Sequence, residues 1–191
     1  MRRANEANRE KFIKAAASEL EEHGVSDFSI RRVARRCHLS CAAPYKHFNG
    51  REELILEVMR YIKTRWTMIL NDTLATYENE AIREKIVAVC MAYLTFLCTY
   101  PEYQTILFMN DRSFSPEMRA EKAEISARAR NLIHDFTSEI RMPEDVRNRK
   151  LFVIRSIIFG AAIMINSGQM AFDSQTIQMV RVHIERELDL E

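Results

Sequence analysis

Glycine and proline are scarce, at four each in 191 residues, well below the roughly 7% and 5% of ordinary chains. Hairpin-built architectures need turn residues every few positions, so this scarcity speaks against a β fold and favours an all-α chain. Long apolar runs are missing too. The longest, Ile157 to Ile165, is far short of the roughly 20 residues a membrane-spanning helix needs. The opening stretch MRRANEANREKF has no apolar segment of the kind a signal peptide carries. A soluble cytoplasmic protein is expected.

Reactive motifs are equally absent. The chain contains no GxGxxG, P-loop, HExxH or GxSxG, which removes the usual nucleotide, zinc-peptidase and serine-hydrolase signatures. Its five histidines, His23, His38, His47, His134 and His183, form no ligand pair four residues apart. His134-Asp135 reads as a surface pair or as polar groups of a pocket. The four cysteines, Cys37, Cys41, Cys90 and Cys98, have no CxxC spacing and read as buried thiols of a reducing compartment. Cys37 and Cys41 lie close across one turn, which leaves a redox role open. No enzyme, metal or cofactor is expected.

What is present is an uneven charge and a compact motif. Net charge is +1, yet residues 1–66 carry 14 Lys/Arg against 9 Asp/Glu, while residues 67–191 carry 14 against 18. The N-terminal part is therefore the basic one, as a footprint on phosphate requires. It holds Ser29 to Phe48, SIRRVARRCHLSCAAPYKHF. Ile30, Val33, Ala34 and Cys37 recur at i, i+3, i+4 and i+7, one face of a helix over 29–37. Arg31, Arg32, Arg35 and Arg36 take the other face. A turn follows at His38-Leu39, and Ser40 is a good N-cap for a second helix, Cys41 to Phe48.

This is the layout of a helix-turn-helix, whose second helix enters the DNA major groove by its N-terminal end. The expected DNA contacts are Ser29, Arg31 and Arg32 on the first helix. Ser40, Cys41, Ala42, Ala43, Tyr45, Lys46 and His47 follow on the second, and Arg51 beyond it. Small residues bring the backbone close to base edges, and the polar ones behind them reach bases or phosphates.

These residues resemble the DNA-binding domain of TetR-type transcriptional regulators. The resemblance is carried by Ala16-Ala17, Gly24, Ser29, Val33-Ala34, Cys37-His38-Leu39-Ser40, Tyr45, His47-Phe48 and Arg51-Glu53-Leu54, over roughly the first quarter of the chain. One departure stands out. His38 occupies the place of a usual glycine, so a positive φ is expected of a histidine there. The resemblance implies an N-terminal three-helix DNA-binding domain, a larger helical ligand-binding and dimerisation domain, and a homodimer built from the last two helices.

Taken in order, the chain supports about nine helices. Asn8 to His23 buries Ile13, Ala16, Ala17 and Leu20 and stops at Gly24, where a left-handed residue is wanted. A long helix starts at Asn49 with Glu52 as partner in a capping box. It runs to about Tyr77 with Ile55, Met59, Ile62, Trp66 and Ile69 along one stripe. Ala81 to Tyr100 follows, and Pro101 opens a short helix to about Asn110. Ser115-Pro116-Glu117 is a helix start by cap, proline and dipole, for a helix to about Arg141 with Ile125, Ala129, Leu132, Phe136 and Ile140 inward. The next helix, Glu144 to Gly168, is apolar nearly all round from Leu151 to Ile165. It is either the central helix of its domain or shared between its own core and a partner chain. Ser174 to Leu188 is the last.

Met59, Ile62 and Trp66, then Met91, Tyr93 and Phe96, then Tyr103, Phe108 and Met109 are pocket candidates. Ten methionines suit an adaptable apolar site, although such a stripe is also ordinary core. Ile157, Ile158, Ala161, Ala162, Ile165, Ile177, Val180 and Ile184 are expected at the dimer interface. The expectation is a DNA-binding domain at 1–49 and a ligand-binding and dimerisation domain at 50–191. Together they would make a repressor that a small, largely apolar effector releases from a palindromic operator. The alternative is a DNA-binding architectural or division-linked protein of the same fold without an effector.

Overall fold

A computed structural model of the chain describes residues 2–108, 114–125 and 127–189. Every regular element among the described residues is a helix, with no strand among them. They form two compact units, Met1–Arg65 with Glu102–Ile125, and Trp66–Pro101 with Ser126–Glu191.

The first unit begins with α1, Arg2–His23, which is longer at its start than the apolar stripe alone foretold. Phe12, Ile13, Ala16, Ala17 and Leu20 are buried, spaced as one helical face. Gly24 ends the helix at φ +69, its N–H donating to the Leu20 carbonyl at 2.8 Å. This is the left-handed stop expected of it. α2, Ile30–Arg36, is capped by Ser29 and buries Ile30, Val33 and Ala34 against α1. His38 takes φ +57, so the turn holds its left-handed form without the glycine.

Beyond the turn, the expected helix over 41–48 is reduced to a 3-10 turn, Pro44–Lys46. Pro44 is the reason: it has no N–H to bond back to Ser40, and its ring crowds the preceding turn. The bonds that form are Ala43 N–H to the Ser40 carbonyl, Lys46 N–H to the Ala43 carbonyl, and the His47 and Phe48 N–H groups to the Pro44 carbonyl.

α3, Arg51–Thr76, starts one residue later than a cap at Asn49 would require. Its entry uses Glu53 rather than Glu52, whose place the sequence had suggested. The Glu53 carboxylate accepts the Asn49 N–H at 2.6 Å, and Gly50 precedes the helix at φ +147. α5, Pro101–Phe108, and α6, Pro116–Ile125, complete the first unit. Ser115 caps α6, its hydroxyl accepting the Met118 N–H at 3.3 Å. A charge network binds α6 to α3: Arg60 meets Glu117 and Glu121, and Lys63 meets Glu121 at 2.5 Å. Glu57 continues it to Arg60 and to Arg9 of α1.

The second unit takes the rest of α3 from Trp66 on, with α4 Ile82–Thr99, α7 Ala127–Glu139, α8 Glu144–Asn166 and α9 Ser174–Leu188. The expected single helix to Arg141 is described as α6 and α7, on either side of Ser126. α4 is the central helix of this unit. It buries residues on every side, from Ile86 through Met91 and on to Leu94, Phe96 and Leu97, and packs on α7, α8 and α9. α8 is therefore not the central helix. It buries one stripe, Ile154, Ile158, Ala161, Ala162 and Ile165, half-buries Leu151, Val153, Ile157 and Phe159, and leaves Phe152, Ile163 and Met164 exposed. Asn166 ties its end to the Leu97 carbonyl at 3.1 Å. Asp173 caps α9 by accepting the Thr176 N–H at 2.8 Å.

Candidate nucleic-acid interface

Four residues separate an exposed surface from its anchor. Tyr45 is 57% exposed and Lys46 is exposed beside it. His47 and Phe48 turn inward instead. The His47 ring lies 5.5 Å from that of Phe12, and the Phe48 ring meets Phe12 edge-on at 6.3 Å. The Arg9 guanidinium covers Phe48 at 5.5 Å. The 3-10 turn is thus pinned to α1 from one side, with Tyr45 and Lys46 presented on the other.

Ser40, Cys41 and Ala42 are exposed at the tip of the turn, and Ala43 is half-buried. Cys41 differs from the buried thiol expected of it. Cys37 is buried, with its thiol pushed up by burial, so the two sulfurs occupy opposite environments. Lys11 of α1 donates to the Cys37 carbonyl at 2.9 Å, which satisfies the end of α2. Arg51 is exposed at the first turn of α3.

The arginines of α2 do not act alike. Arg31 and Arg35 are exposed. Arg32 and Arg36 close on Glu19 of α1, whose side chain has no exposed surface. Glu19 Oε1 accepts the Arg32 Nε–H at 2.5 Å and the Ser29 N–H at 3.2 Å, and Oε2 accepts from Arg36 at 3.4 Å. Arg32 also meets Asp27, and Arg36 meets Glu22. The hydrogen bond to Glu19 is the main reason the Arg32 guanidinium holds its proton more firmly than usual, and for Arg36 it is the bond to Glu22. Ser29 is half-buried as the cap of α2, its hydroxyl accepting the Arg32 N–H at 3.4 Å. Sequence reasoning missed Glu19. The signal was its place seven residues after Phe12 and three after Ala16, a carboxylate on an apolar stripe.

Most pocket candidates are buried, and Tyr93 is half-buried. In the first unit Met59, Ile62 and Tyr103 are core residues, and Tyr61 packs edge-on to Tyr103 at 6.0 Å. The side chain of Phe108 and all of Met109 lie outside the described residues. In the second unit Trp66, Met91 and Phe96 are buried, and Tyr93 sits 4.9 Å from Trp66 and 6.2 Å from Phe159. Burial pushes the Tyr93 hydroxyl up to about 12. A separate depression among α7, α8 and α9, lined by Phe136, Arg147, Leu151 and Leu188, has a volume of about 10 Å³. That is room for about one water, so it is a packing gap.

Of the residues proposed for dimerisation, Ile158, Ala161, Ala162, Ile165, Val180 and Ile184 are buried within the chain itself, and Ile157 and Ile177 are half-buried. Other large apolar residues stay exposed, among them Phe152 at 71%, Ile163 at 52% and Met164 on α8 and Met179 at 45% on α9, with Met68 and Phe172 elsewhere. Phe152 and Ile163 share a face, being eleven residues apart on α8. His134 and Asp135 are an exposed pair 3.8 Å apart. No described helix is long and apolar enough to cross a membrane.

Residues 12–58 match the family of bacterial regulatory proteins called tetR. A comparison with curated proteins finds no match. Solved structures share the fold over nearly the whole chain. A TetR family transcription regulator from Marinobacter aquaeolei VT8 is 17% identical, with 98% of each chain covered and a TM-score of 0.77. The fatty acid degradation regulator FadR from Bacillus halodurans is 12% identical, covering 96% of this chain and 97% of that one, with a TM-score of 0.69. The FadR regulator of Bacillus subtilis in complex with stearoyl-CoA is 13% identical, covering 94% and 97%, with a TM-score of 0.67. The chain thus matches the TetR family's DNA-binding segment in its first unit and shares the fold of a solved TetR family regulator along its length.

Proposed function

We propose that the chain is a homodimeric DNA-binding repressor, with residues 1–49 on the operator and residues 50–191 holding the effector and the dimer contact. The observation that carries this reading is the division within four residues of the turn: Tyr45 and Lys46 are exposed, while His47 and Phe48 are fixed against Phe12. A rigidly anchored turn that presents an aromatic hydroxyl and an ammonium suits phosphate and base-edge contact. Arg51 adds support. A cation at the first turn of a helix opposes the macrodipole by a few tenths to about 1 kcal/mol, and a phosphate there would relieve it.

Two copies would meet through the outward faces of α8 and α9. Phe152, Ile163 and Met179 are large apolar groups left in water by the single chain, and exposed side chains of this size on two packed helices suit an interaction surface. The effector we propose is an acyl compound, a fatty acid or its coenzyme A thioester. The Bacillus halodurans and Bacillus subtilis regulators of the same fold support it, as analogy of fold. The apolar, aromatic interior around Trp66, Tyr93, Phe96 and Phe159 is consistent with such a ligand. α3 is one unbroken helix from Arg51 to Thr76, so a shift imposed near Trp66 is carried to Arg51. A coupling of about 1–3 kcal/mol would lower operator affinity about 5–150-fold.

Mass spectrometry of small molecules released from the purified protein tests the effector, together with release of bound duplex by the compounds found. Acyl compounds that free DNA support the reading. Acyl compounds that bind and leave DNA affinity unchanged would overturn it.

A further inference from the structure

We propose that Glu19 is the positioning residue of the DNA-binding unit, holding Arg32 and Arg36 away from phosphate and leaving Arg31 and Arg35 as the cations α2 offers to DNA. The inference rests on the DNA-binding reading above.

The sequence IRRVARR places two arginine pairs four residues apart, on the two edges of the buried stripe Ile30, Val33 and Ala34. One edge is engaged. Arg32 gives its Nε–H to Glu19 and reaches both the carboxylate and the carbonyl of Asp27. Arg36 bonds Glu19 and Glu22. For either guanidinium to turn fully to phosphate, these charge-assisted bonds must break, and the buried Glu19 carboxylate loses one of the two cations that compensate it, which is unfavourable. The other edge, Arg31 and Arg35, is exposed as Arg36 is, but among the described residues no ion pair holds it.

Glu19 has a second task. A capping box needs an acceptor at the third helical residue to take the N–H of the cap, and in α2 that residue is Arg32, which cannot accept. Glu19 supplies the acceptor from α1, taking the Ser29 N–H at 3.2 Å. One carboxylate therefore sets both the start of α2 and the direction of its arginines.

The test is fluorescence anisotropy of a labelled mixed-sequence duplex across a range of KCl. Arg31→Gln and Arg35→Gln should each flatten the slope of log affinity against log salt by about 0.9, whereas Arg32→Gln and Arg36→Gln should keep the wild-type slope. Glu19→Gln should steepen it, because the freed arginines gain phosphate. Flattening by Arg32→Gln or Arg36→Gln equal to that of Arg31→Gln would overturn the proposal. A thermal-unfolding cycle without DNA, on Glu19→Gln and Arg32→Gln singly and together, should be non-additive. Additive effects would overturn the clasp. Wild-type protein that binds no duplex at any salt would contradict the DNA-binding reading instead, and the cycle would still decide the clasp.

Discussion

The Trp66 and Tyr93 rings lie 4.9 Å apart between centroids, inclined by 56°, with Phe96 5.7 Å from the same indole. Trp66 is the one tryptophan of the chain and is 2% exposed. Its emission therefore reports on a single buried aromatic cluster. An acyl effector should change Trp66 emission and release DNA over the same concentration range. DNA release with Trp66 unperturbed would place the effector elsewhere.

Thiol reactivity should sort the cysteines by environment. Cys41 is exposed, while Cys37 and Cys90 are buried, and burial pushes Cys90 up to about 12 and Cys98 to about 11. Only the thiolate reacts, so in native protein at neutral pH Cys41 should react first and Cys90 only on unfolding. The same shifts set a pH dependence. The folded thiol of Cys90 keeps its proton above the unfolded value, so its contribution to stability is full at neutral pH and is lost as pH rises from about 8.5 toward 12. Alkaline denaturation followed by circular dichroism, compared with Cys90→Ala, checks the sign.

Much of this architecture is legible in the sequence, and the misses have physical causes. Gly24, Ser29 and Ser115-Pro116 mark helix ends because capping is local chemistry, and all three do so in the fold. Pro44 removes an N–H from a segment too short to absorb the loss, and the spacing of apolar residues does not register it. Glu19 could be suspected from its stripe, but its partners lie 10 to 17 residues away and need the tertiary fold to find it. The face of α8 was ambiguous because helical periodicity fades when apolar residues lie on every side.

Charge placed on the two faces of α8 should act differently. Phe152→Glu and Ile163→Glu alter exposed residues, so each should shift a dimer to monomer with little change in monomer stability. Ala162→Glu puts a carboxylate at a site with no exposed surface and should cost several kcal/mol. Sedimentation velocity and chemical denaturation separate the two effects. Unchanged association in both outward variants would refute the proposed dimer face.

His38 holds φ +57, a conformation that strains an L-residue by roughly 1–2 kcal/mol. His38→Gly should relieve part of this, offset by the greater freedom of glycine in the unfolded chain. A net gain of about 0.5–1 kcal/mol is expected by urea denaturation. Destabilisation would mean that the imidazole makes a contact worth more than the strain.

The central claim is that the anchored turn reads DNA. Repeated selection of bound duplexes from a random-sequence pool, with wild-type protein and Tyr45→Ala in parallel, tests it most directly. Wild-type protein should enrich a palindrome with half-sites about one helical turn apart or a little more. Tyr45→Ala should lose roughly 1–3 kcal/mol on that sequence. Failure of wild-type protein to enrich any sequence, or equal enrichment by Tyr45→Ala, would contradict the account.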